Sequence, residues 1–295
     1  MNIINFKNSI VLLLMLLSVA CDEISEKDRN VFYSNIEDFK TGKTVLLEDF
    51  TGANCSNCPR ATAATVDLQN ALGEQLIVVS IHAGAFATDS FRTETGNAYL
   101  QFFYPQNTSY PAAMISRTKQ STDKYVSVND AQWATLVIER LIDLTKPNAQ
   151  MPDIKLNLTV NYDQGEGSFV VKSSVLGHQR IENDLKLQLL LTESHIISRQ
   201  SGDGGGQNYE HNHVLRDAIN GTWGENIAVN ANQTVDYFSE KYFLSKLDDM
   251  TFNNIPPPYN SGNPENMNIV GFIYDNQTKE VIEVKEISLI EKKIM

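Results

Sequence analysis

"KTVLLEDFTGANCSNCPRATAATVDLQNALGEQLIVVSIHAG", residues 43–84, decides the fold. Its first eight residues are a short apolar run containing a β-branched and an aromatic residue, the pattern of a buried strand. "SNCPRATAATVDLQNALG" then sets Ala, Val and Leu at helical spacing, with Pro59 suited to a first turn and Gly73 to a C-terminal stop. "EQLIVVSIHAG" is a second buried strand. Strand, helix and strand in this order imply a partly parallel sheet.

The same alternation continues outward to residue 148. "FRTETGNAYLQFF" suits a helix, and "YPAAMISR" a short strand led by proline. "SVNDAQWATLVIERLIDLTK" is an amphipathic helix with Trp133, Val137, Leu141 and Leu144 on one stripe. Residues 43–148 are therefore expected to form an α/β domain. "KPNAQMPD" is a proline-containing junction, and beyond it the period changes to two. "DIKLNLTVNY" places Ile154, Leu156, Leu158, Val160 and Tyr162 on one face. "GSFVVKSSVL", "DLKLQLLLTES", "NIAVNANQTVDY", "NMNIVGFIYD" and "TKEVIEVKEIS" follow in the same style, the last two joined by a "DNQT" turn. Five or six such strands predict an all-β domain over 149–295, a β-sandwich of immunoglobulin-like layout. Residues 196–225 and 239–265 do not alternate and read as long loops or small helices.

The beginning of the chain reads as an address. "IVLLLMLLSVA" follows a single Lys7 and is too short to span a membrane comfortably, so residues 1–20 are expected to be a secretory signal. "LSVAC" followed by "DEISEKD" resembles a bacterial lipobox, with Ser18 where Leu is usual. On that reading Cys21 is the acylated N-terminus and residues 21–42 are a polar tether. The alternative is an ordinary signal cut near Ala20. The protein is then expected outside the cytoplasm, on a membrane, where disulfides persist. The chain has 295 residues and a formal charge of −12. That balance disfavours nucleic acid, which needs a cationic footprint.

With Cys21 assigned to lipid, Cys55 and Cys58 remain. A C-x-x-C pair between a buried strand and a helix, outside the cytoplasm, reads as a redox motif. The helix N-terminus turns unpaired N–H groups toward the first sulfur and favours its thiolate, the nucleophile. The spacing lets Cys58 resolve a mixed disulfide formed by Cys55. A structural or vestigial disulfide is the alternative. Zinc is the weakest reading, because structural sites want four ligands and no second cysteine pair exists. No cofactor motif stands out: "GDGGG" at 202–206 does not open a helix after a strand and reads as a flexible loop. His211 and His213 could share a strand face as a metal pair. The plainer reading of "NYEHNHVLRDAINGTWGE" is an edge strand or structured loop packing Trp223 on the sandwich.

The 43–148 segment resembles the thioredoxin-like fold. Asp49 stands six residues before Cys55, where thioredoxins carry a buried acid that helps proton transfer. Tyr110-Pro111 stands where that fold carries a cis-proline facing the cysteines. His82 ends the second strand and should emerge at the cysteines' sheet edge. A hydrogen-bonded strand acid, a trans proline and a satisfied core histidine are the plain alternatives. Asn54, Ser56 and Asn57 replace the thioredoxin Trp and Gly-Pro, so no redox poise carries over.

The lipobox, "LLEDFTGANCSNCPRA", "IHAG", "YPAAMISR", "YEHNHVLRDAINGTWGE" and "NIVGFIYDNQTKEVIEV" together resemble the Omp28-related outer-membrane lipoproteins of Bacteroidota. The resemblance implies a lipid-anchored outer-membrane protein with a thioredoxin-like N-terminal domain and a C-terminal β-domain. Two functions are expected from these readings. One is thiol–disulfide exchange with protein thiols or disulfides. The other is an adhesin- or receptor-type module that binds a protein ligand through its loops.

Overall fold

The computed structural model describes residues 41–106, 109–120, 124–146, 153–249 and 261–290, with backbone alone for Asp89, Asp248 and Asp249. The signal and Cys21 anchor readings, and most of the tether, lie outside the described residues.

Strand β1 (Val45–Thr51) is buried along its whole length. It leads through the cysteine loop into helix α1 (Cys58–Leu72), whose buried positions include Ala61, Thr65, Leu68 and Leu72. Gly73 stops the helix with φ 56°, a conformation that glycine adopts without Cβ cost. Strand β2 (Leu76–His82) returns parallel to β1, in register from Val45↔Leu76 to Thr51↔His82. Helix α2 (Glu94–Phe103) is capped by Thr93, whose side chain accepts the Gly96 N–H. Strand β3 (Ala112–Ile115) lies antiparallel on β1, and β4 (Val126–Ser127) on β3. Helix α3 (Trp133–Thr145) buries Trp133, Val137 and Leu141.

In the second half, β5 (Ile154–Asp163), β6 (Ser168–Gly177), β12 (Gln233–Phe238) and β13 (Tyr242–Phe243) form a four-stranded sheet. The other long strands do not stay with it. Strand β7 (Ile181–Glu193) pairs with β10 (Val214–Ala218), β11 (Glu225–Val229) and β14 (Met267–Asp275). Strand β14 in turn pairs with β15 (Val281–Ser288), the hairpin expected from the "DNQT" turn. Through β10, which also touches β2 at Val214↔Ser80, all of these join the first half in one nine-stranded sheet ordered β15-β14-β7-β10-β2-β1-β3-β4, with β11 beside β7. The sheet therefore runs across residue 149, where the sequence suggested a boundary.

Strands β7 and β14 are buried on both faces. Leu187, Leu189 and Leu191 join Ile269 and Ile273 in a core with β5 and β6, the sandwich layer. Leu190, Val270, Phe272 and Tyr274 point the other way, into a core with Tyr99, Leu100 and Phe103 of α2. Near-continuous apolar runs are the mark of two-sided burial.

Three expectations need correction. Residues 196–218 are not long loops or small helices, because they contain β8 (Ile196–Gln200), β9 (Gly206–His211) and β10. Polar residues hide these strands: Gln200, His211 and Arg216 are all buried, which defeats the alternation test. "NIAVNANQTVDY" is not one strand but β11 and β12, the first on β7 and the second on β6 in the other sheet. Trp223 packs against Tyr99 and Phe102, at 5.3 and 5.2 Å between ring centroids, and so against α2 rather than the sandwich.

Candidate functional site

The cysteine loop leaves the C-terminal end of β1 and turns directly into α1. Cys55 and Cys58 form a disulfide with an S–S distance of 2.04 Å and 5.5 Å between Cα atoms. Register places the other residues singled out from the sequence around this end of the sheet. His82 lies beside Thr51 on β2. Phe50 pairs with Ala112, so Pro111 comes alongside Thr51 from the opposite flank. The Tyr110–Pro111 peptide bond is cis. Tyr110 donates its hydroxyl proton to the Ala83 carbonyl at 3.0 Å, which ties this turn to the end of β2.

Asp49 shares the β1 face of Val45, Leu47 and Thr51 by the two-residue period of a strand. Its side chain is buried and its Oδ1 has no hydrogen-bond partner. Burial, reinforced by the nearby charge of Asp130, pushes its carboxyl up to about 7. Most buried polar atoms in proteins are satisfied, so an orphan carboxylate oxygen is costly and calls for a reason. Tyr209 senses the Asp49 charge and is hydrogen-bonded to Thr62, one turn into α1. Asp49 itself stands on the strand that leads into the cysteine loop, six residues before Cys55.

His82 is walled in. Its ring stacks on Phe91 at 4.5 Å and meets His211 edge-on at 5.3 Å. Burial, with the charges of His211 and Arg216, holds its pKa well below the usual histidine value. It is therefore a neutral imidazole in a ring cluster, and nothing brings its nitrogens to a sulfur. His211 ends β9, whereas His213 stands between strands with φ 57°, so the two do not share a strand face. No cluster of three or more His, Cys, Asp or Glu able to hold a metal occurs among the described residues.

Sequence reasoning missed what lies on top. Strands β8 and β9 form a ribbon of their own, a two-stranded sheet apart from the nine-stranded one. Its tip, including the "GDGGG" run, is not a free loop. Ser201 N–H donates to the Ala53 carbonyl at 2.8 Å. The Gln200 side-chain amide donates to the carbonyls of Cys55 at 2.9 Å and Gly52 at 3.2 Å. Arg199 donates to Asn54 Oδ1 at 3.0 Å. Gly202 lies so close that a Cβ there would stand 2.0 Å from the Ser56 carbonyl oxygen. Cys55 and Cys58 are left 2% and 1% exposed. The dense glycine run was the available signal, since glycine marks close approach of one backbone to another.

A family model described as "Outer membrane protein Omp28" matches residues 97–293. No curated protein matches. Among solved structures, HBP35 of Porphyromonas gingivalis superposes with a TM-score of 0.61 at 14% identity, over 86% of this chain and 78% of that one. At that identity the likeness shows the fold alone. A domain of the outer membrane lipoprotein Omp28 from Porphyromonas gingivalis is 23% identical over 47% of this chain and 88% of that one, with a TM-score of 0.31. β-Glucosidase 3B from Thermotoga neapolitana is similar at 9% identity and a TM-score of 0.23, over 48% of this chain and 16% of that one.

Proposed function

The chain belongs to the Omp28 family of outer membrane proteins, and on that premise we propose that Cys55–Cys58 is a thiol–disulfide exchange site of thioredoxin type, carried on a protein that Cys21 anchors to the outer membrane through lipid. No helix among the described residues is long and apolar enough to cross a membrane, and the proposed anchor requires none.

One observation carries this reading: the strand that runs into the C-x-x-C disulfide carries Asp49, buried, with an Oδ1 that has no hydrogen-bond partner and a carboxyl that burial pushes up to about 7. A purely structural disulfide has no use for such a group. A redox pair does, because one of its sulfurs must gain and lose a proton near neutral pH. In the forward step a thiolate of a protein dithiol bonds to Cys55 Sγ as the Cys55–Cys58 bond breaks. Cys58 leaves as a thiolate and takes the Asp49 proton. The partner's second thiolate then attacks its own sulfur in the mixed disulfide and releases Cys55. The partner loses two electrons and becomes a disulfide, and the pair gains them as a Cys58 thiol and a Cys55 thiolate, while Asp49 is left ionised until it takes a proton from solvent. The reverse sequence reduces a protein disulfide. Pro111 presents backbone beside the pair, while His82 serves the packing of this end of the sheet.

The test is exchange with a model protein disulfide, using dithiothreitol as the electron source. The wild-type protein should catalyse it and Cys55→Ser should not. Equal rates for the two would sink the reading.

A second reading is favoured by the burial of both sulfurs. In it the disulfide is a staple and the protein is a surface binding module. The long loop expected at 196–225 is mostly strand, which leaves less free loop for recognition than the sequence suggested. Undiminished partner binding by Cys55→Ser would favour it.

A further inference from the structure

The ribbon raises a problem that the exchange reading cannot leave open: its two sulfurs are out of reach of a macromolecular thiol. We propose that the ribbon tip, Arg199 to Gly205, is a lid occupying the place where a polypeptide partner docks, and that the partner displaces it. The proposal rests on the exchange reading for its purpose, but its geometry is independent of that reading.

Base and tip of the ribbon are held differently. At the base, Ile196 is buried with Ala53, Phe91 and Val214. His211 is buried there too, its ring 4.7 Å from Phe91. The two connections to the nine-stranded sheet pass through His195 and His213, both with positive φ (60° and 57°). They are cross-tied by His195 N–H to Asn212 Oδ1 and His213 N–H to Ser194 Oγ. This base is fixed. The tip has no apolar anchor and its outer side faces solvent. It is held to the cysteine loop by polar contacts from Arg199, Gln200 and Ser201 alone.

Those contacts name the class of occupant. Three of the four acceptors are main-chain carbonyls, of Gly52, Ala53 and Cys55, and the donors are one main-chain N–H and one carboxamide. An extended polypeptide offers main-chain N–H donors in series for such carbonyls, whatever its sequence. The glycine run lets the tip lie flat on Ser56, and it lets the tip lift without moving the base.

The experiment uses the full chain, reduced with a phosphine and alkylated with iodoacetamide under native conditions. Modification at Cys55 is followed by peptide mass. Two variants loosen the tip. Gly202→Val places a branched side chain against the Ser56 backbone, and Gln200→Ala removes the amide that bonds to Gly52 and Cys55. Each should alkylate about tenfold faster than wild type, about 1.4 kcal/mol in the closing equilibrium, with unchanged circular dichroism and a loss of global stability no larger than that amount. Exchange with a protein disulfide should accelerate in the same order. Equal alkylation and exchange rates in all three chains would overturn the lid and leave the exchange reading intact. Faster alkylation with no exchange in any chain would support the lid and overturn the exchange reading.

Discussion

Replacing Asp49 by Asn should stabilise the oxidised protein at pH 8 and leave it nearly unchanged at pH 4. The carboxyl is raised from 3.8 to about 7 by burial and by Asp130. Below pH 3.8 it is protonated in both the folded and the unfolded chain, and its contribution to stability is fully present. Between pH 3.8 and about 7 the unfolded chain releases the proton first. The unfolded state then binds fewer protons than the folded one, so stability falls as pH rises and the loss is complete above the folded value. At about 1.4 kcal/mol per pKa unit, the interval amounts to about 4 kcal/mol. Asparagine keeps the shape and has no charge to bury, so the variant escapes this loss. The assay is urea unfolding with the disulfide intact, wild type against variant, at pH 4, 6 and 8. Taking the difference between the two chains cancels the other groups whose ionisation burial disfavours, including His211 and Glu193. With a slope of about 3 kcal/mol per molar urea, the pH 8 midpoint should rise by about 1 M or more. A difference that stays within about 0.5 kcal/mol from pH 4 to pH 8 would refute the reasoning. The same variant should slow exchange near neutral pH, because Cys58 loses its proton donor. A site that gains stability while losing activity is the expected trade-off for a group kept for chemistry.

The remaining expectations concern the frame of the site. Arg117 and Glu48 form a fully buried pair at 2.6 and 2.7 Å, with the guanidinium ringed by Tyr99, Phe103, Phe272 and Tyr274. Arg117→Met should cost about 3–5 kcal/mol by stranding Glu48, and adding Glu48→Leu should recover much of it; equal losses in single and double variants would count against this. Leu190→Ala and Leu191→Ala open cavities in opposite cores of one strand, and each should cost about 2–5 kcal/mol by chemical denaturation. Coincident transitions by tryptophan fluorescence and far-ultraviolet circular dichroism are expected for both, and separated ones would divide the sheet at residue 149. His82 is held neutral by burial, with a pKa well below 6.5. The stability this gives is present above pH 6.5 and is lost as pH falls below it. His82→Phe should therefore flatten that acid-side fall, which one such group sets at up to about 1.4 kcal/mol per pH unit.

Local pattern carried the sequence reading wherever one element reports its own surroundings. The apolar run of β1, the helical spacing of α1 with Pro59 and Gly73 at its ends, and the clean alternation of β5 were legible because each side chain's burial follows from the element's own period. His82 could be placed at the cysteines' sheet edge from the order of elements, whereas Asp49 and Pro111 were placed by the resemblance to the thioredoxin-like fold. The pairing of elements distant in sequence could not be read. Strand β10 is five residues long and carries a buried Arg216, yet it joins β2 to β7 and makes two layers one sheet. The β8–β9 ribbon is polar by composition, and only its fit against Ser56 and Ala53 shows that it closes the cysteine site. Periodicity records which face of an element is buried and is silent on what buries it. The sequence by itself determined the disulfide-bearing strand–helix unit and its acid. The tertiary structure decided that a segment about 145 residues away lies across it, because backbone carbonyls accept donors from any part of the chain that the sheet brings within reach.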